Sequence, residues 1–295
     1  MKILVTGANG FLAQHLCKFF VNKGFEVHGT YRNKSVLQVN TPIHYHLLEL
    51  TDVSLVETLL YAVKPEIIIH AAAMSKPDEC NNDQDACIKN NVEVTKYLVD
   101  ASKLLNAHFI YLSTDFIFGE NGPHSENDFP DPLNFYGTSK LLAEKLIKSS
   151  STQYAIVRPV FIYGPTWNGM RSSFVQWVAE KLKTGTKIKI VNDQFRTPTY
   201  VEDICKGIEQ IIVCQKTGAY HLAGSEIYTP YQMAIKVAKL LGLDESLIEA
   251  VNSASFPEPV IRAKKSGLKI DKAIKELNYK PLSFEEGIRK SFNIC

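Results

Sequence analysis

The sequence predicts an α/β protein built on a doubly wound parallel sheet, with a smaller C-terminal lobe. Three observations predict it. Near-continuous apolar runs alternate with segments of helical period. The first of those runs leads directly into a glycine-rich turn, "VTGANGFL". After residue 160 the rhythm changes to few strands punctuated by Pro and Gly. Strands covered on both faces read as unbroken apolar runs, and parallel neighbours need the helical crossovers that lie between them.

In order, the candidate strands are 2–6 (KILVT), 25–31 (FEVHGTY), 43–50 (IHYHLLEL), 66–70 (EIIIH), 108–114 (HFIYLST) and 154–159 (YAIVRP). They are rich in β-branched and aromatic residues and end at turn-forming residues, as strands should. Helical patterns near 10–22, 53–63, 83–105 and 136–149 connect them. Six strands in this alternation suit a Rossmann-like sheet. Farther on, the patterns are a helix at 171–183, a strand at 186–191, a helix at 201–213, a strand at 218–223 and helices at 230–241 and 283–292. The expected division is 1–165 for a dinucleotide-binding part and 166–295 for a substrate lobe, with the helix at 201–213 packing back on the first part.

Length and composition fit this reading. At 295 residues, 45% hydrophobic and 22% charged, the chain can bury a large core, and a net charge of +2 gives no footprint for nucleic acid or a membrane surface. No apolar run reaches the ~18 residues of a membrane span. "MKILVTGANG" opens as strand and turn rather than as a signal peptide, so a cytoplasmic location is expected. The six cysteines are scattered without a C-x-x-C pair and read as reduced thiols, Cys17 as a buried one. His44 and His46 alternate on one strand face, but no third ligand is apparent in the sequence, and they read as surface or satisfied histidines; no metal is expected. Six basic residues between Arg262 and Lys275 read as a solvated helix face.

Two segments carry chemistry. The first is the glycine-rich turn. Gly7 allows the tight turn, Gly10 lets backbone approach a pyrophosphate, and the following helix offers its free N–H groups and positive dipole end to that anion. Ala13 stands where a third glycine often sits and still allows close packing. The second strand ends "VHGTYRN", without the acid that usually takes a ribose 2′-hydroxyl and with Arg32 available for a 2′-phosphate, so NADP is expected, with NAD as the alternative.

The second segment is "NFYGTSKLLAEK", which sets Tyr136 and Lys140 one helical turn apart. About one such spacing is expected by chance in a chain of this composition, so its location must decide. It follows "YLSTDFIF", which brings Ser113 and Thr114 to the carboxyl edge of the sheet where ligands bind. A phenol is a poor acid–base group at neutral pH unless a neighbouring ammonium lowers its pKa, a task within reach of Lys140.

The order of the glycine-rich turn, "HAAA", Asn91, "STD", "YGTSK", "RPVFIYG" and "VEDIC" resembles the extended short-chain dehydrogenase/reductase family over nearly the whole chain. Within it, "STDFIFGENGPHSENDFPDPLNFYGTSKLLAEKL" and "NDQFRTPTYVEDI" are similar to the dTDP-4-dehydrorhamnose reductases. The resemblance implies Thr114, Tyr136 and Lys140 as the catalytic set, with Lys140 also holding the nicotinamide ribose. It implies cofactor contacts from Gly7, Asn9, Gly10, Phe11, Leu12, Arg32, Ala71, Ala72, Ala73, Asn91, Tyr136, Lys140 and Pro159. It points to Met74, Ser75, Ser113, Arg196, Thr197 and Tyr200 for the nucleotide-sugar substrate, Arg196 standing even between that role and an ion pair with Asp203. A homodimer is the family's expectation.

Departures narrow the reading. The related 4,6-dehydratases carry Asp-Glu after the strand threonine, whereas here Asp115 precedes Phe116. Magnesium-binding relatives use a glutamate early in the first helix, where this chain has His15. The expected function is therefore NADPH-dependent reduction of the C4 ketone of a nucleotide-linked 6-deoxy-4-keto sugar. A nucleotide-sugar epimerase, or a non-catalytic NADP-binding subunit like the methionine adenosyltransferase β subunit, is the alternative.

Overall fold

A computed structural model describes residues 1–33, 42–150, 152–256 and 260–294. Its centre is a seven-stranded, wholly parallel sheet of β1 (Lys2–Thr6), β2 (Glu26–Tyr31), β3 (Ile43–Leu47), β4 (Ile67–His70), β5 (His108–Leu112), β6 (Tyr154–Arg158) and β10 (Gly218–His221), in the order β10-β6-β5-β4-β1-β2-β3. The direction of strand addition reverses between β1 and β4. A doubly wound sheet opens a crevice there, outside the carboxyl ends of the strands.

The first half follows the sequence reading closely. Helices α1 (Phe11–Asn22) and α2 (Val53–Val63) occupy the expected spans, and Asp52 caps α2 by accepting the Leu55 N–H at 3.2 Å. The helix expected at 83–105 is instead broken. A short α3 (Pro77–Asn82) and α4 (Gln84–Ile88) lead into a π-helical turn at Lys89–Glu93 and then α5 (Val94–Leu105). Wide turns of this kind re-aim a side chain within a helix, and here the side chain is Asn91. Helix α6 (Phe135–Ser149) begins on Asn134, whose Oδ1 accepts the Gly137 N–H at 3.0 Å.

The second half contributes more to the sheet than expected. The strand anticipated in the lobe, β10, pairs with β6 and becomes the seventh strand. Helix α8 (Val201–Val213) lies against α1 on one face of the sheet, burying Ile204, Cys205, Ile208 and Ile211 with Leu16 and Phe20. The opposite face is covered by α2, α5 and α6 through Val56, Leu60, Leu98, Val99, Ala143 and Ile147. Burying each such aliphatic side chain is worth about 1.5–3 kcal/mol.

A separate core builds the lobe. Helices α7 (Phe174–Lys183), α9 (Pro230–Leu241) and α11 (Phe284–Phe292) pack Val175, Val178, Met233, Val237 and Ile288 around the small sheet of β8 (Ile188–Val191) and β11 (Ile248–Val251). Two-residue strands β7 (Ile162–Tyr163) and β9 (Thr199–Tyr200) pair where the chain passes between the two parts.

The basic run resolves differently from a helix face. Only Asp271–Leu277, α10, is helical; residues 262–270 form an extended strap. The strap is tied at Phe195, whose N–H donates to the Lys264 carbonyl at 2.7 Å, and at Glu120, which accepts the Lys264 and Lys265 N–H groups. Among the described cysteines, Cys17, Cys80, Cys87 and Cys205 are buried free thiols, and burial pushes Cys17 up to about 12. Cys295 lies outside the described residues.

Candidate active site

The crevice between β1 and β4 is a cleft of about 530 Å³ whose walls include Gly7, Asn9, Gly10, Arg32, Ala72 and Met74. Its floor is stitched by one hydroxyl. Thr6 Oγ1 accepts the Ala71 and Ala72 N–H groups, both at 3.1 Å, and lies 2.8 Å from His70 Nδ1. With its lone pairs so used, Thr6 donates to Nδ1, which puts the His70 proton on Nε2, 3.1 Å from Thr95 Oγ1. Burial, aided by the Lys140 charge, lowers His70 to about 3, so the ring is neutral structural cement.

The glycine-rich turn fits a pyrophosphate. Gly7 has φ +72°, and a Cβ there would stand 2.8 Å from the Ala72 Cα, so only glycine brings the turn this close to the next strand. Gly10 caps α1 without any side-chain hydrogen bond, leaving the first-turn N–H groups turned to the cleft. Asn9 Oδ1 is buried with no hydrogen-bond partner, as expected of an acceptor reserved for a ligand. Phe11 and Leu12 open the same helix, and Ala71, Ala73 and Ser75 line the opposite wall. Pro159 is buried just past β6.

Arg32 lines the cleft, but it does not stand alone. Glu49, just beyond β3, lines the same cleft and places Oε2 3.9 Å from Arg32 Nη1.

Thr114 and Tyr136 meet at the carboxyl end of β5, and Lys140 follows one turn along α6. Thr114 caps a 3₁₀ turn at Asp115–Ile117, its Oγ1 accepting the Phe116 N–H at 3.2 Å. Tyr136 sits in the first turn of α6 with its ring edge-on to Phe116, centroids 5.6 Å apart. This approach depends on Gly137: a Cβ there would stand 2.1 Å from the Phe116 carbonyl oxygen. Lys140 is buried with Nζ 4.1 Å from the centre of the Tyr111 ring.

The electrostatics depart from expectation. Burial pushes the Tyr136 phenol up, Asp115 adds to this, and a hydrogen bond shared with Thr114 counters it; Lys140 is not among the influences that lower it. The phenol is thus held protonated. The unusual group is Lys140, which burial lowers to about 7 against the pull of Glu144.

Asp115, noted in the sequence only as the residue before the Phe116 that counts against dehydration, is a buried member of the site. Its Oδ2 accepts the Ser266 hydroxyl at 2.8 Å and its Oδ1 the Thr114 hydroxyl at 3.2 Å. Burial raises its pKa and Arg196 holds it back. With Phe116, Asn134, Arg196, Arg262 and Ser266 it lines a small pocket beside Tyr136. Arg262 spans from this pocket to Asp78 at 3.0 Å, and Asn134 Nδ2 donates to the Ile261 carbonyl at 3.0 Å, so the strap forms one wall of this pocket. Arg262 and Ser266 were missed because only the fold brings the strap here.

Several expected ligand residues have other employment. Asn91 is buried and clamps the chain after β4, its Oδ1 accepting the Met74 N–H at 2.8 Å and its Nδ2 donating to the Met74 carbonyl at 3.0 Å and to Ser139 Oγ at 2.9 Å. It therefore positions the wall of the cleft. Ser113 donates its hydroxyl to Glu144 at 2.6 Å, within a buried network in which Arg158 bonds both Glu144 oxygens at 2.8 and 2.6 Å. Burial alone would raise the Glu144 carboxyl, but Arg158 brings it below its ordinary value. Tyr200 packs on Tyr163 in the lobe core, with ring centroids 5.9 Å apart, and Thr197 Oγ1 accepts the Leu268 N–H of the strap. Asp203 accepts the Leu282 N–H and faces Lys206, while Arg196 donates to Gln194 and to the Phe195 and Lys264 carbonyls, beside the pocket rather than beside Asp203. His15 packs on Trp167 and bonds the Pro165 carbonyl, and burial lowers it to about 4.

The family model described as RmlD substrate binding domain matches residues 1–295. The chain belongs to this family. RmlD-type chains lie within the extended short-chain dehydrogenases/reductases, as the sequence resemblance implied. Among solved structures, this RmlD-family fold is similar to the dTDP-4-dehydrorhamnose reductase of Bacillus anthracis in complex with NADP (TM-score 0.87, 26% identity, 99% of this chain and 98% of that one). It is similar as well to the UDP-glucuronic acid 4-epimerase of Bacillus cereus in complex with UDP-glucuronic acid and NAD (TM-score 0.84, 25% identity, 99% and 98%). In sequence it is 28% identical over 271 residues to the methionine adenosyltransferase 2 subunit beta of Bos taurus, covering 90% of this chain and 78% of that protein. Relatives of this kind are NAD(P)-dependent sugar-nucleotide oxidoreductases, as expected, and the two solved neighbours hold NADP and NAD.

Proposed function

We propose that this protein reduces the C4 ketone of a nucleotide-linked 6-deoxy-4-keto sugar, using NADPH held in the β1–β4 cleft. The observation that carries this reading is the placing of Tyr136 against Thr114 and Phe116, beside the Asp115–Arg196–Ser266 pocket and one turn before the buried Lys140. Residues 1–165 would hold the cofactor, and 166–295 would supply the sugar end through Arg196, Arg262 and Ser266. The solved neighbour with NADP supports the cofactor, and Arg32 is the cation available to a 2′-phosphate.

When bound, NADPH supplies hydride. Everything else falls to side chains. Tyr136, kept protonated by burial and Asp115, is the proton donor to the C4 oxygen. The Thr114 hydroxyl, turned from Asp115 Oδ1 to the substrate, donates to the same oxygen and fixes the carbonyl plane. Lys140, near 7, holds a ribose hydroxyl of the dinucleotide and returns a proton toward the phenolate.

The test is NADPH oxidation with dTDP-4-dehydro-6-deoxy-L-mannose, with NADPH binding followed separately by nicotinamide fluorescence. Tyr136→Phe should lose about 10²–10⁴-fold in kcat while NADPH binding stays within twofold. NADPH binding without any oxidation would defeat the reductase reading. The likeness to methionine adenosyltransferase 2 subunit beta favours a second reading, a dinucleotide-binding partner subunit, and the same null result would support it.

A further inference from the structure

The edge of the sheet farthest from Tyr136 carries a cluster that the proposed reaction does not use. Parallel pairing sets His28 of β2 opposite His44 of β3 and Thr30 opposite His46. Alternation then puts Glu26, His28, His44 and His46 on one face of these two strands. The sequence showed only the His44–His46 pair; Glu26 and His28 reach it through the register. One ligand atom each from Glu26, His28 and His44 falls within 4.8 Å of the others. His28 Nε2 is already 3.1 Å from Glu26 Oε1, and the His28 and His44 rings stack with centroids 4.8 Å apart. The remaining nitrogen of His28, Nδ1, lies 2.9 Å from His46 Nε2.

We infer that Glu26, His28 and His44 form a binding site for a zinc-like divalent cation, with His46 orienting His28 from behind. The donor set is two imidazoles and a carboxylate, suited to zinc, cobalt, nickel or copper and poorly to magnesium or calcium. Four-coordinate zinc with bonds of about 2.0–2.1 Å needs ligand atoms roughly 3.3–3.5 Å apart. The Glu26–His28 pair is near that spacing, and His44, which is exposed, has freedom to close the rest by side-chain rotation. Water completes the shell on the solvent side. The His28–His46 contact is the outer-shell bond that selects a metal-ligating tautomer. Lys2 Nζ, 3.3 Å from Glu26 Oε1, is the resident cation that a metal would displace. The bound ion would fasten β3, the sheet's edge strand, to β2 at a point three residues before the strand ends.

The other histidines, His15, His70, His108, His124 and His221, are buried, which leaves Cys214 as the competing exposed ligand among the described histidines and cysteines. The test uses untagged, chelator-treated full-length protein titrated with Co²⁺ alone. We expect one Co²⁺ per chain, visible ligand-field bands of a four-coordinate N/O site, and no thiolate charge-transfer band. His44→Ala and Glu26→Gln should each weaken binding at least tenfold, His46→Ala by about 10–100-fold, and Cys214→Ser not at all. Added Co²⁺ should raise the melting temperature of the wild type and leave that of His44→Ala where it was. Absence of uptake at about 1 mM Co²⁺, binding weaker than about −4.1 kcal/mol, would overturn the site, as would unchanged uptake in the Glu26→Gln/His44→Ala double variant.

Discussion

Around the glycine-rich turn the cleft is made by backbone, whereas the pocket beside Tyr136 is made by side chains. Gly7, Asn9 and Gly10 are consecutive or nearly so, and what they offer is a turn with φ +72°, an uncapped helix start and close contact with Ala72. The pocket beside Tyr136 instead joins Asp115, Asn134, Arg196, Arg262 and Ser266, and its central hydrogen bond spans 151 residues. A backbone site tolerates little change at any single position but is indifferent to what lies elsewhere in the chain. A side-chain site is assembled by the fold and is adjustable one residue at a time. The two solved neighbours named above each hold a dinucleotide, NADP in one and NAD in the other.

The comparison is broken most severely at Gly7. Gly7→Ala forces a Cβ against Ala72 in a left-handed conformation, and NADPH affinity should fall at least 100-fold, about 3 kcal/mol by isothermal titration. Loss of this size with the sugar pocket still competent would confirm that the ends are separable; unchanged affinity would refute the backbone account.

Arg196→Ala should act at the other end. The expected result is a rise of about tenfold in KM for the sugar nucleotide, with NADPH affinity within twofold. A fall in kcat alone would mean that Arg196 serves the chemistry through Asp115 rather than the substrate.

Lys140 sits between the ends and carries a stability cost that pH should reveal. Its folded value near 7 lies below the ordinary 10.5. The penalty is therefore full below pH 7 and relieved as pH rises toward 10.5, because the unfolded chain holds the proton longer. Lys140→Met should be more stable than wild type at pH 7, and the difference should shrink by about 2 kcal/mol between pH 7 and 9 in urea titrations. A pH-independent difference would remove the desolvation argument.

The smallest effect is expected at Glu49. Glu49→Gln frees Arg32 and should raise the preference for NADPH over NADH by about two- to fivefold, since an exposed pair is worth little. A shift toward NADH would make Glu49, rather than Arg32, the residue that matters there.

What could be read from the sequence follows the same division. The strand–turn–helix of residues 2–22 and the Tyr136 helix are local patterns, fixed by hydrophobic period, a glycine and a cap, and they lie where expected. The role of Asn91 was not legible, because a π-helical turn has the same composition as the helix it interrupts. Neither was the strap, whose lysines suggested a solvated helix face although its backbone is committed to Phe195, Glu120 and His124. Ser113 and Tyr200 carried the right chemistry, but burial turned them to Glu144 and to Tyr163. Nor does periodicity give strand order, which is why β10 read as part of the lobe.

That last strand has a consequence for how the molecule is made. Until residue 221 has left the ribosome, β6 presents an unpaired edge and the hydrophobic face under α8 stays uncovered. The nascent chain must therefore wait, with a nearly finished sheet, through the synthesis of β8 and α7 before its first core can close. At about 5–20 residues per second this is an interval of several seconds. During it the edge of β6 is open to wrong partners, and a chaperone has its clearest opportunity to act.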